Sequence, residues 1–269
     1  MNIQKDAGPQ LLRDKRYAFF LDVDGTLAAI QPRPDDVFIP EGVIANLQEL
    51  AEVNEGALAL VSGRPIAELD QLIAPLQLPL AGVHGAERRD IDGKTERISL
   101  PDDVCGELAV LLGDAVAQMP GTQLEIKGMA FALHYRQAEH YQQAICELAE
   151  AMTKRYPMLA LQPGKCVVEL KPQGVNKGAA LNDFMQQAPF TGRTPVFIGD
   201  DLTDEAGFNT VNAMDGISIK VGEGETQAAY RLPDVASVHH WLNQTLLQLD
   251  QDDKSSVRSQ GYESLSSRI

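Results

Sequence analysis

The stretch Tyr17-Ala18-Phe19-Phe20-Leu21-Asp22-Val23-Asp24-Gly25-Thr26 decides the fold of this chain. An unbroken apolar run that stops at turn-forming residues reads as a strand buried on both faces, the kind found in parallel sheets. Parallel strands need long crossovers, and the sequence that follows supplies them. Pro40–Val53 reads as a helix, with Val43, Leu47 and Leu50 at helical spacing and Pro40 suited to its start. Ala57–Val61 is a second buried strand, stopped by Ser62-Gly63-Arg64-Pro65. Ile66, Leu69, Leu72 and Ile73 then mark one face of a helix, and Leu78–Val83 is a third strand. Strand and helix in alternation predict an α/β fold, a Rossmann-like parallel sheet with crossover helices.

The middle of the chain breaks this alternation. Asp90–Leu100 reads as a hairpin turning at Asp92-Gly93, Asp102–Gln118 and His140–Tyr156 as helices, and Leu124–Arg136 and Cys166–Leu170 as strands. This is an α+β insert. Past Pro172 the first pattern returns, with helix Gly178–Gln187, strand Thr194–Gly199, a helix from Asp204 to Val211, strand Gly216–Val221 and helix Val238–Leu249. The predicted organisation is a core made of residues 1–92 and 173–249, an inserted domain at 93–172, and a tail at 250–269. The tail is rich in Ser, Asp and Gln and too polar to offset its ordering entropy, so disorder is expected there.

Composition agrees with two globular domains: 269 residues, 44% hydrophobic and 23% charged. The net charge of −15 repels nucleic acid and anionic membranes, and most of it reads as solubilising surface. No apolar run exceeds five residues, against about 20 for a membrane helix, and the N-terminus lacks the apolar stretch of a secretory signal. Cys105, Cys146 and Cys166 are odd in number and widely spaced, which argues for a reducing compartment. The expectation is a cytoplasmic monomer acting on a small molecule.

In open α/β sheets ligands bind beyond the carboxyl ends of the strands. Four polar clusters fall there: Asp22 to Thr26, Ser62-Gly63-Arg64, Asn176-Lys177-Gly178, and Gly199-Asp200-Asp201 with Asp204. Asp22, Asp24 and Asp200 offer hard oxygen ligands that suit Mg²⁺. Lys177, the Ser62 hydroxyl and backbone N–H groups near Gly25 can hold a tetrahedral anion. A carboxylate nucleophile, a cation and a metal are what phosphoryl transfer demands. Read singly, Asp22 and Asp24 could be turn formers, Ser62 a helix cap, and Asp200-Asp201 a capping pair.

Taken in order, these clusters resemble the four motifs of the haloacid dehalogenase-like phosphatases. The resemblance implies that Asp22 is the nucleophile and Asp24 the general acid and base. Thr26, Ser62 and Gly63 would bind phosphate, and Lys177 would neutralise nucleophile and phosphate. Asp22, the Asp24 carbonyl and Asp200 would hold Mg²⁺, with Asp201 and Asp204 in support. The long interval between Ser62 and Lys177 places the insert where that superfamily carries its C2-type cap. Val83-His84-Gly85-Ala86-Glu87, Leu124-Glu125-Ile126-Lys127-Gly128, Phe131-Ala132-Leu133-His134-Tyr135-Arg136, Val168-Glu169-Leu170-Lys171-Pro172 and Gly199-Asp200-Asp201-Leu202-Thr203-Asp204-Glu205 are similar to trehalose-6-phosphate phosphatases. That similarity implies hydrolysis of trehalose 6-phosphate, with Glu125, Lys127 and Glu169 on the sugar hydroxyls and Arg64, His134 and Arg136 as further contacts. Without it, Glu125 and Lys127 read as an exposed ion pair. Alternatives are a phosphatase for sucrose phosphate or a mannosyl phosphate, a sugar phosphomutase, and a non-enzymatic sensor. His239 and His240 read as surface, Trp241 as core, and Cys166 as a packing residue.

Overall fold

The computed structural model describes residues 8–249 except 13, 128, 129 and 165, and only the backbone of 34 and 127. The expected disordered tail, 250–269, lies outside the described residues. In chain order the strands are β1 (Tyr17–Leu21), β2 (Leu58–Val61), β3 (Leu80–Gly82), β4 (Glu87–Arg89), β5 (Thr95–Arg97), β6 (Gln123–Lys127), β7 (Ala130–His134), β8 (Leu159–Gly164), β9 (Val167–Pro172), β10 (Thr194–Gly199), β11 (Ile217–Val221) and β12 (Tyr230–Leu232). The α-helices are α1 (Glu41–Val53), α2 (Ile66–Ile73), α3 (Asp102–Ala117), α4 (Gln142–Arg155), α5 (Lys177–Met185), α6 (Glu205–Ala213) and α7 (235–249). Among the described residues, Glu96–Val175 forms one compact unit, and the segments 8–95 and 176–249 form the other.

The first unit is built on an eight-stranded sheet in the order β12-β11-β10-β1-β2-β3-β4-β5. β1 lies parallel between β10 and β2. The chain therefore reverses its direction of travel across the sheet between β1 and β10, and their carboxyl ends flank the crevice such a reversal opens. Alternation of side chains along β1 explains why the whole run is apolar. Tyr17, Phe19 and Leu21 join one core with Val43, Leu47 and Leu50 of α1, Ile66, Leu69 and Ile73 of α2, and Val238, Trp241 and Leu242 of α7. Ala18 and Phe20 join the opposite core with Leu181 and Phe184 of α5 and Phe208 and Val211 of α6. Trp241 is buried, and its indole N–H donates to the Pro9 carbonyl at 3.0 Å.

The strands on either side of Asp92-Gly93 continue the large sheet, with β4 antiparallel to β3, and the second compact unit begins at Glu96, within β5. The pairing of Leu80 with Arg89 fixes that register. His239 is half-buried, not a plain surface residue. Its Nε2–H donates to the Leu27 carbonyl at 2.7 Å, tying α7 to the turn after β1.

The second unit is a four-stranded antiparallel sheet, β6-β7-β9-β8, covered on one face by α3 and α4. Phe131, Leu133, Val168 and Leu170 face Leu108 and Leu112 of α3 and Ile145 and Ala149 of α4. The other face carries a polar row set by register: Glu125 opposite Ala132, Ala132 opposite Glu169, and Glu169 opposite Gln162. Cys166 packs against the apolar cluster of this unit, at the turn entering β9.

Phe20 stacks on Phe190 with ring centroids 5.3 Å apart and also meets Phe184 at 5.9 Å. Truncating a fully buried aromatic removes transfer free energy and leaves a cavity. Phe20→Ala is expected to cost about 3–5 kcal/mol in urea unfolding. A loss below ~1 kcal/mol would show that this cluster is not a keystone of the core.

Candidate active site

Asp22 is the first residue past β1, and its N–H donates to the Ile198 carbonyl of β10, which holds the two strand ends together at 3.0 Å. The chain then turns sharply, with the N–H groups of Thr26, Leu27 and Ala28 all donating to the Val23 carbonyl. Gly25 makes that turn possible at φ +80°, a conformation L side chains rarely adopt. A Cβ on Gly25 would lie 2.1 Å from Oδ2 of Asp200. Glycine is needed there twice, for the backbone angle and for the close approach of the Asp200 carboxylate.

Lys177 opens α5, which Asn176 caps by accepting the Ala179 N–H at 2.9 Å. The Lys177 ammonium is 3% exposed and donates to Asp22 Oδ1 at 2.7 Å and Asp204 Oδ1 at 2.6 Å. Burial works against this charge, but the two carboxylates outweigh it and hold the ammonium above the ordinary lysine range. Burial pushes the Asp22 carboxyl upward. Lys177 pulls it back, and the carboxylates of Asp204 and Asp200 add to the rise.

Asp204 is fully buried, and both of its oxygens are committed. Oδ1 accepts from Lys177, and Oδ2 accepts from the N–H groups of Asp200 and Asp201, each at 3.0 Å. Its carboxylate packs where a Cβ on Gly199 would stand. Asp201 caps the short turn 202–204 through the Thr203 N–H, so its carboxylate faces that turn and not Lys177. The Asp200 carboxylate differs from all of these: it accepts no hydrogen bond from any described residue. Burial, then Asp204 and Asp201, pushes its pKa up to about 6.

Asp22, Asp200 and Asp204 each offer a carboxylate oxygen within 4.8 Å of the others. Crowded, desolvated carboxylates with oxygen-only chemistry fit a hard divalent cation. Because Asp204 has both oxygens engaged, Asp22 and Asp200, whose carboxylate accepts from no described residue, are the better ligands of the three.

Thr26 is fully buried and donates its hydroxyl to Asp22 Oδ2 at 3.3 Å. Ser62 is the first residue past β2, with its Oγ accepting the Arg64 N–H at 3.2 Å. The Asp24 carboxylate lies in the fork of Arg64, with Nε at 2.7 Å and Nη2 at 2.8 Å, while Nη1 of the same group donates to Glu68 at 3.1 Å. The His84 ring rests against Gly63, 2.7 Å from where a Cβ would be. Val83 and His84 both have positive φ, 48° and 55°. Such angles at non-glycine residues cost of order 1–3 kcal/mol each, and here they bring the His84 N–H onto the Ser62 carbonyl at 2.9 Å.

In the second unit Glu125 accepts from Nε2 of His134 at 2.9 Å, and Glu169 lies in the same register row. Lys127 pairs with Ala130 in the ladder. Arg136 is exposed in the turn after β7, off that row. The sequence reading passed over Lys220 and took His239 for a surface residue, yet both bond backbone carbonyls of the turns after β10 and β1. A lysine late in a strand and a histidine in a polar pair carry no sequence signal for such contacts.

The fold is that of the haloacid dehalogenase-like hydrolases, with the acidic cluster where β1 and β10 end. Within that class the relatives are narrower. The model of the family described as trehalose-phosphatase matches residues 20–236. A trehalose-6-phosphate phosphatase of Escherichia coli K12 is 54% identical over 254 residues, spanning 94% of this chain and 95% of its own. A probable trehalose-phosphate phosphatase of Sinorhizobium fredii is 45% identical over 77% of this chain and 78% of its own. The solved structure of a trehalose-6-phosphate phosphatase related protein superposes with TM-score 0.69 at 27% identity, covering 87% of this chain and 98% of that one. The chain belongs to the trehalose-phosphatase family and is a phosphoric monoester hydrolase. No helix among the described residues is long and apolar enough to cross a membrane.

Gly25→Ala places a methyl into the Asp200 carboxylate at a strained backbone angle. Phosphate release should fall about 10²-fold or more while far-ultraviolet circular dichroism stays native. Asp204→Ala leaves Lys177 with one carboxylate and two backbone N–H groups with none. Unfolding free energy should drop by about 3–5 kcal/mol, and a drop under ~1 kcal/mol would mean that Asp204 does not hold the lysine.

Proposed function

We propose that this chain hydrolyses trehalose 6-phosphate to trehalose and inorganic phosphate through an aspartyl phosphate on Asp22. The observation that carries the reading is the buried Asp22–Lys177 contact at 2.7 Å, beside an Asp200 carboxylate that no described residue donates to. An Asp22 oxygen bonds to phosphorus as the phosphorus–oxygen bond to the sugar breaks. Asp24 gives its proton to the departing sugar oxygen. As a carboxylate it then takes a proton from water. The water oxygen bonds to phosphorus, the bond from phosphorus to Asp22 breaks, and free phosphate leaves with the carboxylate restored.

Thr26, Ser62 and the backbone at Gly63 hold phosphate oxygens, and Lys177 offsets their charge. Arg64, whose fork already grips Asp24, orients that acid and base. Asp22, the Asp24 carbonyl and Asp200 would hold Mg²⁺, which when bound supplies positive charge against the phosphate oxygens as negative charge shifts in the transition state. The sugar hydroxyls are read by Glu125, Lys127 and Glu169, with His134 and Arg136 beside them. The polar row that register sets on one face of the cap sheet supports that part of the reading. The enzyme works as a cytoplasmic monomer on a small sugar phosphate, without nucleic acid or membrane.

Phosphate release over a panel of trehalose 6-phosphate, sucrose phosphate, mannosyl phosphate and a small aryl phosphate, with and without Mg²⁺, tests the reading. Trehalose 6-phosphate should be hydrolysed fastest and only with the metal. An isomeric sugar phosphate as product would make the enzyme a mutase instead. Asp22→Asn should lower kcat by about 10³-fold or more with the fold intact, and retained turnover would remove Asp22 as nucleophile. Glu125→Ala should impair trehalose 6-phosphate far more than the aryl phosphate, and equal losses would overturn the specificity role of the cap.

A further inference from the structure

Lys220 is a buried cation that the reaction outlined above does not use. It stands at the carboxyl end of β11, paired in parallel register with Gly199, the residue before Asp200. It is 6% exposed. Its ammonium donates to two backbone carbonyls, that of Asp200 and that of Val221, the latter at 2.6 Å. No carboxylate among the described residues forms an ion pair with it within 4.0 Å.

A buried ammonium without a contacting carboxylate is costly, and a methionine would fill the same strand end at no such cost. The contact therefore calls for a reason, and the Asp200 backbone supplies one. Its N–H is held by Asp204, as is the next N–H, of Asp201. Its carbonyl is held by Lys220. Both polar backbone groups of Asp200 are held, while its side-chain carboxylate accepts no hydrogen bond from any described residue. The arrangement fixes the Cα–Cβ direction and leaves the carboxylate to something else.

We propose that Lys220 is a positioning residue for the cation site: by clamping the Asp200 carbonyl it aims the Asp200 carboxylate at the divalent metal. The proposal rests on the metal-dependent reading of the site given above. Groups that orient metal ligands from behind usually account for about 10–100-fold in metal affinity. Lys220 acts here through the ligand's main chain.

The test uses the full-length protein and two variants. Lys220→Met removes charge and donors, and Lys220→Gln removes charge but keeps a donor. Mg²⁺ affinity is measured by calorimetry on the free enzyme, and the Mg²⁺ concentration for half-maximal turnover is measured beside it. Thermal unfolding and circular dichroism report whether each variant folds. In a folded Lys220→Met variant the Mg²⁺ Kd should rise at least about tenfold, the half-maximal Mg²⁺ concentration should rise in parallel, and KM for the sugar phosphate at saturating Mg²⁺ should stay within about twofold. Lys220→Gln should fall between the wild type and Lys220→Met. An unchanged Mg²⁺ Kd in a folded variant overturns the proposal. Loss of folding in both variants also overturns it, because Lys220 would then serve the fold alone. If the wild-type enzyme itself binds no Mg²⁺ and turns over equally without it, the metal-dependent reading fails. If the wild type binds Mg²⁺ and the variants match it, only the role of Lys220 fails.

Discussion

The contact of Lys177 with Asp22 and Asp204 is the constraint on which the rest of the site depends. Three charged groups are withdrawn from water at once, and each would be prohibitive alone. Together they are tolerable because one ammonium serves two carboxylates at short range. The three residues come from widely separated points of the chain: the end of β1, the start of α5 and the turn after β10. The ion pairs can form only if β1 and β10 are adjacent and α5 begins above them. The sheet order and the reactive cluster are thus two consequences of one folded arrangement, and a wrong register between β1 and β10 would strand a buried charge.

That coupling explains the glycines and strained angles around the site. Gly25 and Gly199 are small because carboxylates occupy the space a Cβ would take, Asp200 in one case and Asp204 in the other. Gly178 is small because α5 and α6 approach until a Cβ would lie 2.4 Å from the Ala206 carbonyl, and that close packing seats Lys177 over Asp204. The positive φ of Val83 and His84 belongs to the same economy of space. A β-branched residue in that region is strained, and the surrounding hydrogen bonds to Arg64 and Ser62 hold it there.

Most of this architecture was legible in the sequence, and the parts that were not share a physical cause. Tyr17–Leu21 and Thr194–Gly199 announced themselves because strands buried on both faces must be apolar throughout. β8 was silent because it contains Gln162, Pro163 and Gly164, which an edge strand tolerates and a central strand does not. β12, only three residues long, offers no periodicity. The hairpin at Asp92-Gly93 was visible as a turn, but no local signal says which sheet a hairpin extends. Within the site the acidic residues stood out because carboxylates cluster at the strand ends. Lys220 and His239 did not, because their partners are backbone carbonyls, and a carbonyl has no residue type to read.

The net charge of −15 looks ill-suited to an enzyme for an anion. The conflict dissolves once distance is considered. Charges on the protein surface are screened within about 8 Å at physiological ionic strength, so most of the surplus is weakly felt at the crevice. Buried charges are screened far less, and there the balance differs. Lys177 bridges Asp22 and Asp204, Lys220 holds the Asp200 carbonyl beside them, and the carboxylates of Asp22, Asp200 and Asp204 converge to within 4.8 Å. Two fixed cations and one divalent metal would turn that locus from repulsive to attractive for a phosphate without altering the character of the surface. The global charge serves solubility, and the local charge serves chemistry. They can differ in sign because water separates them.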